Sequence, residues 1–226
     1  MKENIKRLIF NHLLKDRVDN DYVRYLGSEY GGFYLDLRVN ENPVVFDVGI
    51  GEDMSFSDSL LKMRPKSKIF AVDPTSRSIH WFKKSKFYKI NNIHFIEKAL
   101  YIQSGDSNFY APKNKNHVSH SLVVNKNISL DDQVLVETVS LEDLCKSLKL
   151  KRIDVLKIDV EGSEYQILEN LSKRSLLPLQ ICVEYHDRFY NILFPRSRKT
   201  HRHLKSIGYE LIGVSRSMQE ITYKLK

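Results

Sequence analysis

Five short apolar runs rich in β-branched residues recur along the chain with helical stretches between them, and no other feature restricts its fold so tightly. They are VVFDVG at 44–49, KIFAVD at 68–73, IHFI at 93–96, IDVLKIDV at 153–160 and QICVEY at 180–185. Such runs read as strands buried on both faces, which is the pattern of a parallel sheet covered by helices and built from right-handed βαβ units. Between them, Ser55–Met63, Arg77–Lys86, Leu141–Leu148 and Ser163–Leu171 each offer an apolar helical face. After residue 185 the pattern changes. A basic segment leads through Gly208 to YELIGVS at 209–215, and ITYKL comes almost at once, so a closing antiparallel hairpin is expected.

The 226 residues hold no internal repeat and no linker rich in Pro, Gly or Ser, which points to one domain over 43–226 preceded by a helical or cap segment at 1–42. Residues 101–139 are the loosest stretch, and a small β-hairpin inserted before the fourth sheet strand is the expectation there. The opening MKENIKRLIFNHLLKDR reads as an amphipathic helix: Asn, His and Lys interrupt its apolar residues, and no small-residue cleavage site comes after it. No run of about 18 apolar residues is present to span a bilayer. Cys145 and Cys182 sit in apolar contexts, where a thiol packs as a small hydrophobe, and a reducing cytoplasmic setting is the simplest one. The net charge of +8 favours anionic partners without choosing among them. The densest basic cluster, Arg196 to Lys205, is read as the solvated face of a helix.

The first run ends in Asp47-Val48-Gly49-Ile50-Gly51-Glu52-Asp53 and enters a helix, at the sheet edge where open α/β folds bind ligands. A dinucleotide site would bring a pyrophosphate to this helix N-terminus, usually with a third glycine where the chain has Met54. Glu52 and Asp53 would repel that phosphate. S-adenosylmethionine carries an ammonium and a sulfonium and no phosphate, so Asp47, Gly49 and Gly51 are assigned to this cofactor. Asp73 ends the second run, where its carboxylate can accept from a ribose diol; a helix N-cap is the architectural alternative. Glu97, after the third run, is placed near the adenine.

At the fourth run, Lys157-Ile158-Asp159-Val160-Glu161-Gly162-Ser163-Glu164 sets acids and a glycine on the turn into the next helix. An unpaired carboxylate inside an apolar strand is costly, so Asp159 is expected to face the cleft, toward the cofactor, a cation or Lys157. Glu184 and His186 lie two apart at the end of the fifth run and share a strand face. Together FDVG, VDP, SLEDL at 140–144, KIDVEGSEYQILENL at 157–171 and VEYH at 183–186 resemble the FkbM-type methyltransferases, and they do so in order over residues 44–186. That family often has Ala-Asn after the first glycine, where this chain has Ile50 and Gly51.

The resemblance implies a class I, Rossmann-like doubly wound α/β sheet of seven strands in the order 3-2-1-4-5-7-6, with the terminal strand antiparallel. It also implies methyl transfer from S-adenosylmethionine to a hydroxyl of a sugar, glycan or natural product. The acceptor is then a small or carbohydrate-like molecule, possibly anionic. A hydroxyl needs a base or a metal to lose its proton. His186 as a metal-free base, with Glu184 and Asp159, is the preferred catalytic set; were a divalent metal present, Asp159, Glu161, Glu184 and His186 would hold it. Two other classes stand beside this one: an RNA methyltransferase using the basic segment, and a donor-binding module without turnover.

Overall fold

The computed structural model describes residues 21–114, 119–190 and 195–226. The expected helix at the extreme N-terminus lies outside these residues. The remainder of the 1–42 segment is not helical: β1 (Val23–Leu26) and β2 (Phe33–Asp36) form an antiparallel hairpin. The chain then enters β3 (Val44–Val48), α1 (Ser55–Met63), β4 (Lys68–Val72), α2 (Ser76–Lys84) and β5 (Ile93–Ile96). The insertion comprises β6 (Ala99–Tyr101), β7 (Gly105–Pro112) and β8 (Ile128–Ser140). After it come α3 (Leu141–Ser147), β9 (Val155–Ile158), α4 (Glu164–Asn170), β10 (Gln180–Glu184), α5 (Ser197–Ser206), β11 (Tyr209–Val214) and β12 (Glu220–Leu225).

Among the described residues seven strands form the main sheet, in the order β11-β12-β10-β9-β3-β4-β5. β5, β4, β3, β9 and β10 pair in parallel, and β12 runs antiparallel to both β10 and β11. Alternate residues of the central strands serve two cores. Phe46, Phe70, Leu156 and Ile181 pack with Leu144, Leu168 and Leu204 from α3, α4 and α5, whereas Val45, Ile69, Val155 and Cys182 pack with Phe56, Leu60 and Phe82 from α1 and α2. With both faces dry, the strands need no polar alternation, which is why the runs read as continuous. β9 starts later than the run at 153 suggests; just before it, the buried Asp154 carboxylate accepts from the Val44 N–H at 2.7 Å and from Arg152 at 3.1 Å.

The N-terminal hairpin is tied to the far end of this sheet. The Gln180 side-chain amide exchanges two hydrogen bonds with the Asp36 backbone at 2.9 and 2.8 Å, the Thr222 hydroxyl donates to Tyr34 O at 2.6 Å, and Lys224 pairs with Asp36 at 2.7 Å. The insertion is larger than a hairpin: β7 and β8 are antiparallel, and β6 adds a parallel third strand to β8. Ser140 ends β8 and caps α3 by accepting the Asp143 N–H at 3.1 Å. No helix among the described residues is long and apolar enough to cross a membrane.

Candidate active site

The carboxyl ends of β3, β4 and β9 open onto a cleft of about 790 Å³ that includes Gly49, Gly51, Asp73, Lys157 and Asp159 in its walls. Gly49 has φ +73°, and a Cβ there would lie 1.7 Å from the Asp159 carbonyl oxygen. The first turn therefore needs glycine both for its backbone and for its contact with β9. Gly51 donates its N–H to Asp73 Oδ2 at 3.0 Å, while Asp73 Oδ1 accepts from the Thr75 N–H and hydroxyl at 2.9 and 2.7 Å. Thr75, not Asp73, is the N-cap of α2. The Asp73 carboxylate instead bridges the two turns at the cleft wall.

Asp47 is corrected by the structure. It is only 1% exposed, lies beneath the glycine turn, accepts from the Ser57 hydroxyl at 2.5 Å and pairs with Lys157 at 3.2 Å. Lys157 in turn donates to Gly49 O at 2.8 Å, so the buried ion pair braces the turn from below. Burial works against the Lys157 charge, but Asp47 and Asp159 outweigh it and raise the ammonium pKa above its ordinary value. Glu97 is also corrected: it is exposed and pairs with Lys83 at 3.3 Å, while its neighbours Lys98, Ala99 and Leu100 line the cleft. The two loop acids have partners of their own. Glu52 pairs with Arg77 at 2.7 Å, and Asp53 accepts from the Ser55 N–H at 2.6 Å and the Ser28 hydroxyl at 2.8 Å. The Asp53–Ser28 bond clamps the β1–β2 turn against the cleft and brings Tyr30 and Gly31 into its wall.

Asp159, Glu161, Glu184 and His186 do converge. His186 Nε2 lies 3.2 Å from Glu161, 3.6 Å from Asp159 and 3.6 Å from Glu184. The other ring nitrogen is 3.2 Å from Glu164, whose Oε1 also accepts the His186 N–H at 2.9 Å and whose Oε2 accepts the Gly162 N–H at 2.8 Å. Glu161 is a non-glycine residue at φ +51°, an uncommon conformation that costs free energy and is characteristic of functional turns. The imidazole is completely buried and packs against Phe189 in a tilted arrangement with ring centroids 4.9 Å apart, and it is Asp159 and Glu161 that reach the cleft. Burial opposes the imidazolium, but Glu164 and Glu161 carry the His186 pKa well above the usual histidine range. Burial and the Glu184 charge push Asp159 up to about 8. A general base has to reach the proton it removes; the cleft wall includes Asp159 and Glu161, whereas the His186 ring lies behind them.

A second, polar depression of about 760 Å³ adjoins the first, and Ser119 and Glu161 belong to both. Lys113, Asn125, Asn127, Arg188 and Phe189 form much of its remaining wall.

The chain matches the methyltransferase FkbM domain over residues 47–211. It belongs to that family. The protein is thus an S-adenosylmethionine-dependent methyltransferase, and the match spans every strand end that meets the cleft. A curated relative, the 2-O-methyltransferase NoeI of Sinorhizobium fredii (strain NBRC 101917 / NGR234), is 26% identical over 171 residues, covering 68% of each chain. Among solved structures, the Methanococcus jannaschii fibrillarin pre-rRNA processing protein is 10% identical over 82% of this chain and 67% of its own, with a TM-score of 0.48. The precorrin-6y C5,15-methyltransferase of Geobacter metallireducens GS-15 is 17% identical over 84% of both chains, with a TM-score of 0.44.

The methyltransferase cleft also contains groups that spacing alone did not identify. Tyr30 arrives from a hairpin far upstream, Lys98 and Leu100 lie just beyond β5, and Ser119 and His120 come from the insertion. Glu164 was legible as an acid at a helix start, but its role as the buried partner of His186 was not. The basic segment 196–205 is largely engaged within the fold: Arg196 and Lys199 pair with Glu169, and His203 meets the Leu171 carbonyl at 2.8 Å.

Proposed function

We propose that this methyltransferase transfers the methyl group of S-adenosylmethionine to a hydroxyl of a sugar-like acceptor. The observation that carries this reading is the junction of the two depressions at Glu161. A donor in the cleft and an acceptor in the polar groove would meet there, beside Asp159. Methyl transfer is an in-line displacement on carbon, so alignment and removal of the hydroxyl proton are the enzyme's main tasks. In the donor cleft, Gly49 and Gly51 allow close backbone approach, and Asp73, which already accepts three hydrogen bonds from Gly51 and Thr75, keeps one acceptor site on Oδ2 for a ribose hydroxyl.

The groove combines amides, cations and the ring of Phe189, a lining suited to a polyhydroxylated and anionic acceptor. That the relative NoeI is a 2-O-methyltransferase agrees with oxygen as the target. The pairing order of the main sheet supports the 3-2-1-4-5-7-6 arrangement of class I methyltransferases, with residues 43–226 as the catalytic unit. An RNA acceptor draws no support from the basic segment 196–205, in which Arg196 and Lys199 pair with Glu169.

The test is a mass-spectrometric screen of neutral and acidic oligosaccharides incubated with enzyme and S-adenosylmethionine. A 14 Da gain that survives mild base, as an ether does and an ester does not, is the expected result. Methylation confined to RNA or to amines would overturn it.

A further inference from the structure

We propose that Asp159, Glu184 and His186 form a divalent-cation site at the junction of the donor cleft and the polar groove, and that the bound ion holds the acceptor oxygen. The catalytic half of this inference rests on hydroxyl methylation being the reaction; the binding half does not.

Each of the three residues offers one ligand atom, and these atoms lie within 4.8 Å of one another. Nε2 of His186 is 3.6 Å from both carboxylates. An octahedral ion with bonds of about 2.1 Å spaces adjacent ligands about 3 Å apart, so small side-chain adjustments close the set around it. An acidic cluster alone would mean little. The second observation is the imidazole: its Nε2 is buried and aimed into the acids, 3.2 Å from Glu161 without the alignment of a hydrogen bond. Phe189 packs at a tilt against the ring and Glu164 engages Nδ1, so the ring is held with Nε2 forward. A carboxylate on the far nitrogen is the arrangement that orients metal-binding histidines.

Two carboxylates and one imidazole make an oxygen-rich set suited to Mg²⁺ or Mn²⁺, and three protein ligands leave positions for the acceptor and for water. Asp159 is 29% exposed and lies in the cleft wall, so the ion would stand where the two substrates meet. The acceptor oxygen binds the ion and its O–H bond breaks, with the proton passing to Glu161. An oxygen lone pair then forms the bond to the methyl carbon as the carbon–sulfur bond breaks. That bonding pair stays on sulfur, and the sulfonium becomes a neutral thioether.

The full chain, dialysed against EDTA and then metal-free buffer, is titrated with Mn²⁺ while electron paramagnetic resonance reads the free ion. One Mn²⁺ per chain, displaced by Mg²⁺, is expected. Glu184→Gln and Asp159→Asn should each raise the Mn²⁺ Kd at least about tenfold with unchanged circular dichroism. Absence of a saturable site up to millimolar Mn²⁺, or binding indifferent to both substitutions, overturns the proposal. This readout needs no acceptor, so it stands apart from the oligosaccharide screen. Once an acceptor is identified, loss of turnover in EDTA with recovery in Mn²⁺ supports the catalytic half, and turnover untouched by EDTA overturns it.

Discussion

Asp73 and Gly51 are joined by a hydrogen bond of 3.0 Å, from the Gly51 N–H to Asp73 Oδ2, and this bond ties the glycine turn after β3 to the end of β4. Residues 22 positions apart thus make one continuous wall of the donor cleft. Asp73→Ala removes this anchor and, with it, the proposed acceptor for the ribose. Calorimetry with S-adenosylhomocysteine should show binding weakened by about 1.5–3 kcal/mol, the scale of lost charge-assisted hydrogen bonds. An unchanged Kd in the folded variant would contradict the ribose assignment.

Gly49 is the position least able to accept a side chain. A methyl group at φ +73° would collide with the Asp159 carbonyl, which is backbone and cannot swing aside. Gly49→Ala should cost about 3 kcal/mol or more in urea unfolding. A variant as stable as the parent would mean that β3 and β9 do not approach as described.

Asp53 acts on the cleft from a distance, through Ser28 and the turn that presents Tyr30. Its replacement by Ala should loosen that wall and weaken S-adenosylhomocysteine binding by about 1 kcal/mol through lost preorganisation. Equal affinity in Asp53→Ala and parent would detach the hairpin from donor binding.

The pH dependence of stability has one clear contributor outside the site. Partial burial works against the Glu169 charge, but hydrogen bonds from Arg196, Lys199 and Thr200 hold its pKa down to about 2. A folded-state pKa below the unfolded value means stability present above about pH 4.5 and lost as pH falls toward 2. Glu169→Gln should therefore lower unfolding free energy by about 1–2 kcal/mol at pH 7, discounted for the exposed Lys199, and by much less near pH 2.5. The same deficit at both pH values would assign the effect to packing.

The strands and helices of the main sheet were legible because burial on both faces writes continuous apolar runs, as in VVFDVG and QICVEY. The convergence of Asp159, Glu184 and His186 was legible too, since they end strands that are neighbours in sequence order. The β1–β2 hairpin was not. Its strands are four residues long, and its register depends on Gln180, Thr222 and Lys224, partners more than 100 positions away. Asp47 and Glu97 misled for a related reason. A strand-end acid can face ligand, interior or solvent, and the choice was made by Lys157 and Lys83, whose proximity no local spacing reveals. The burial of His186 behind Glu161, Glu164 and Phe189 was not legible either, because only the packing of those residues defines it.

Methyl transfer at the junction is tested most directly at Glu161, the acid shared by donor cleft and acceptor groove. On an identified oligosaccharide, the steady-state rate of Glu161→Gln should fall about 10²–10⁴-fold, the usual contribution of a proton-accepting group. S-adenosylhomocysteine affinity, measured on the same sample, should stay within about threefold of the parent because the substitution leaves the proposed donor contacts at Gly49, Gly51 and Asp73 in place. Parental turnover in Glu161→Gln with donor binding intact would contradict the placement of methyl transfer at this junction.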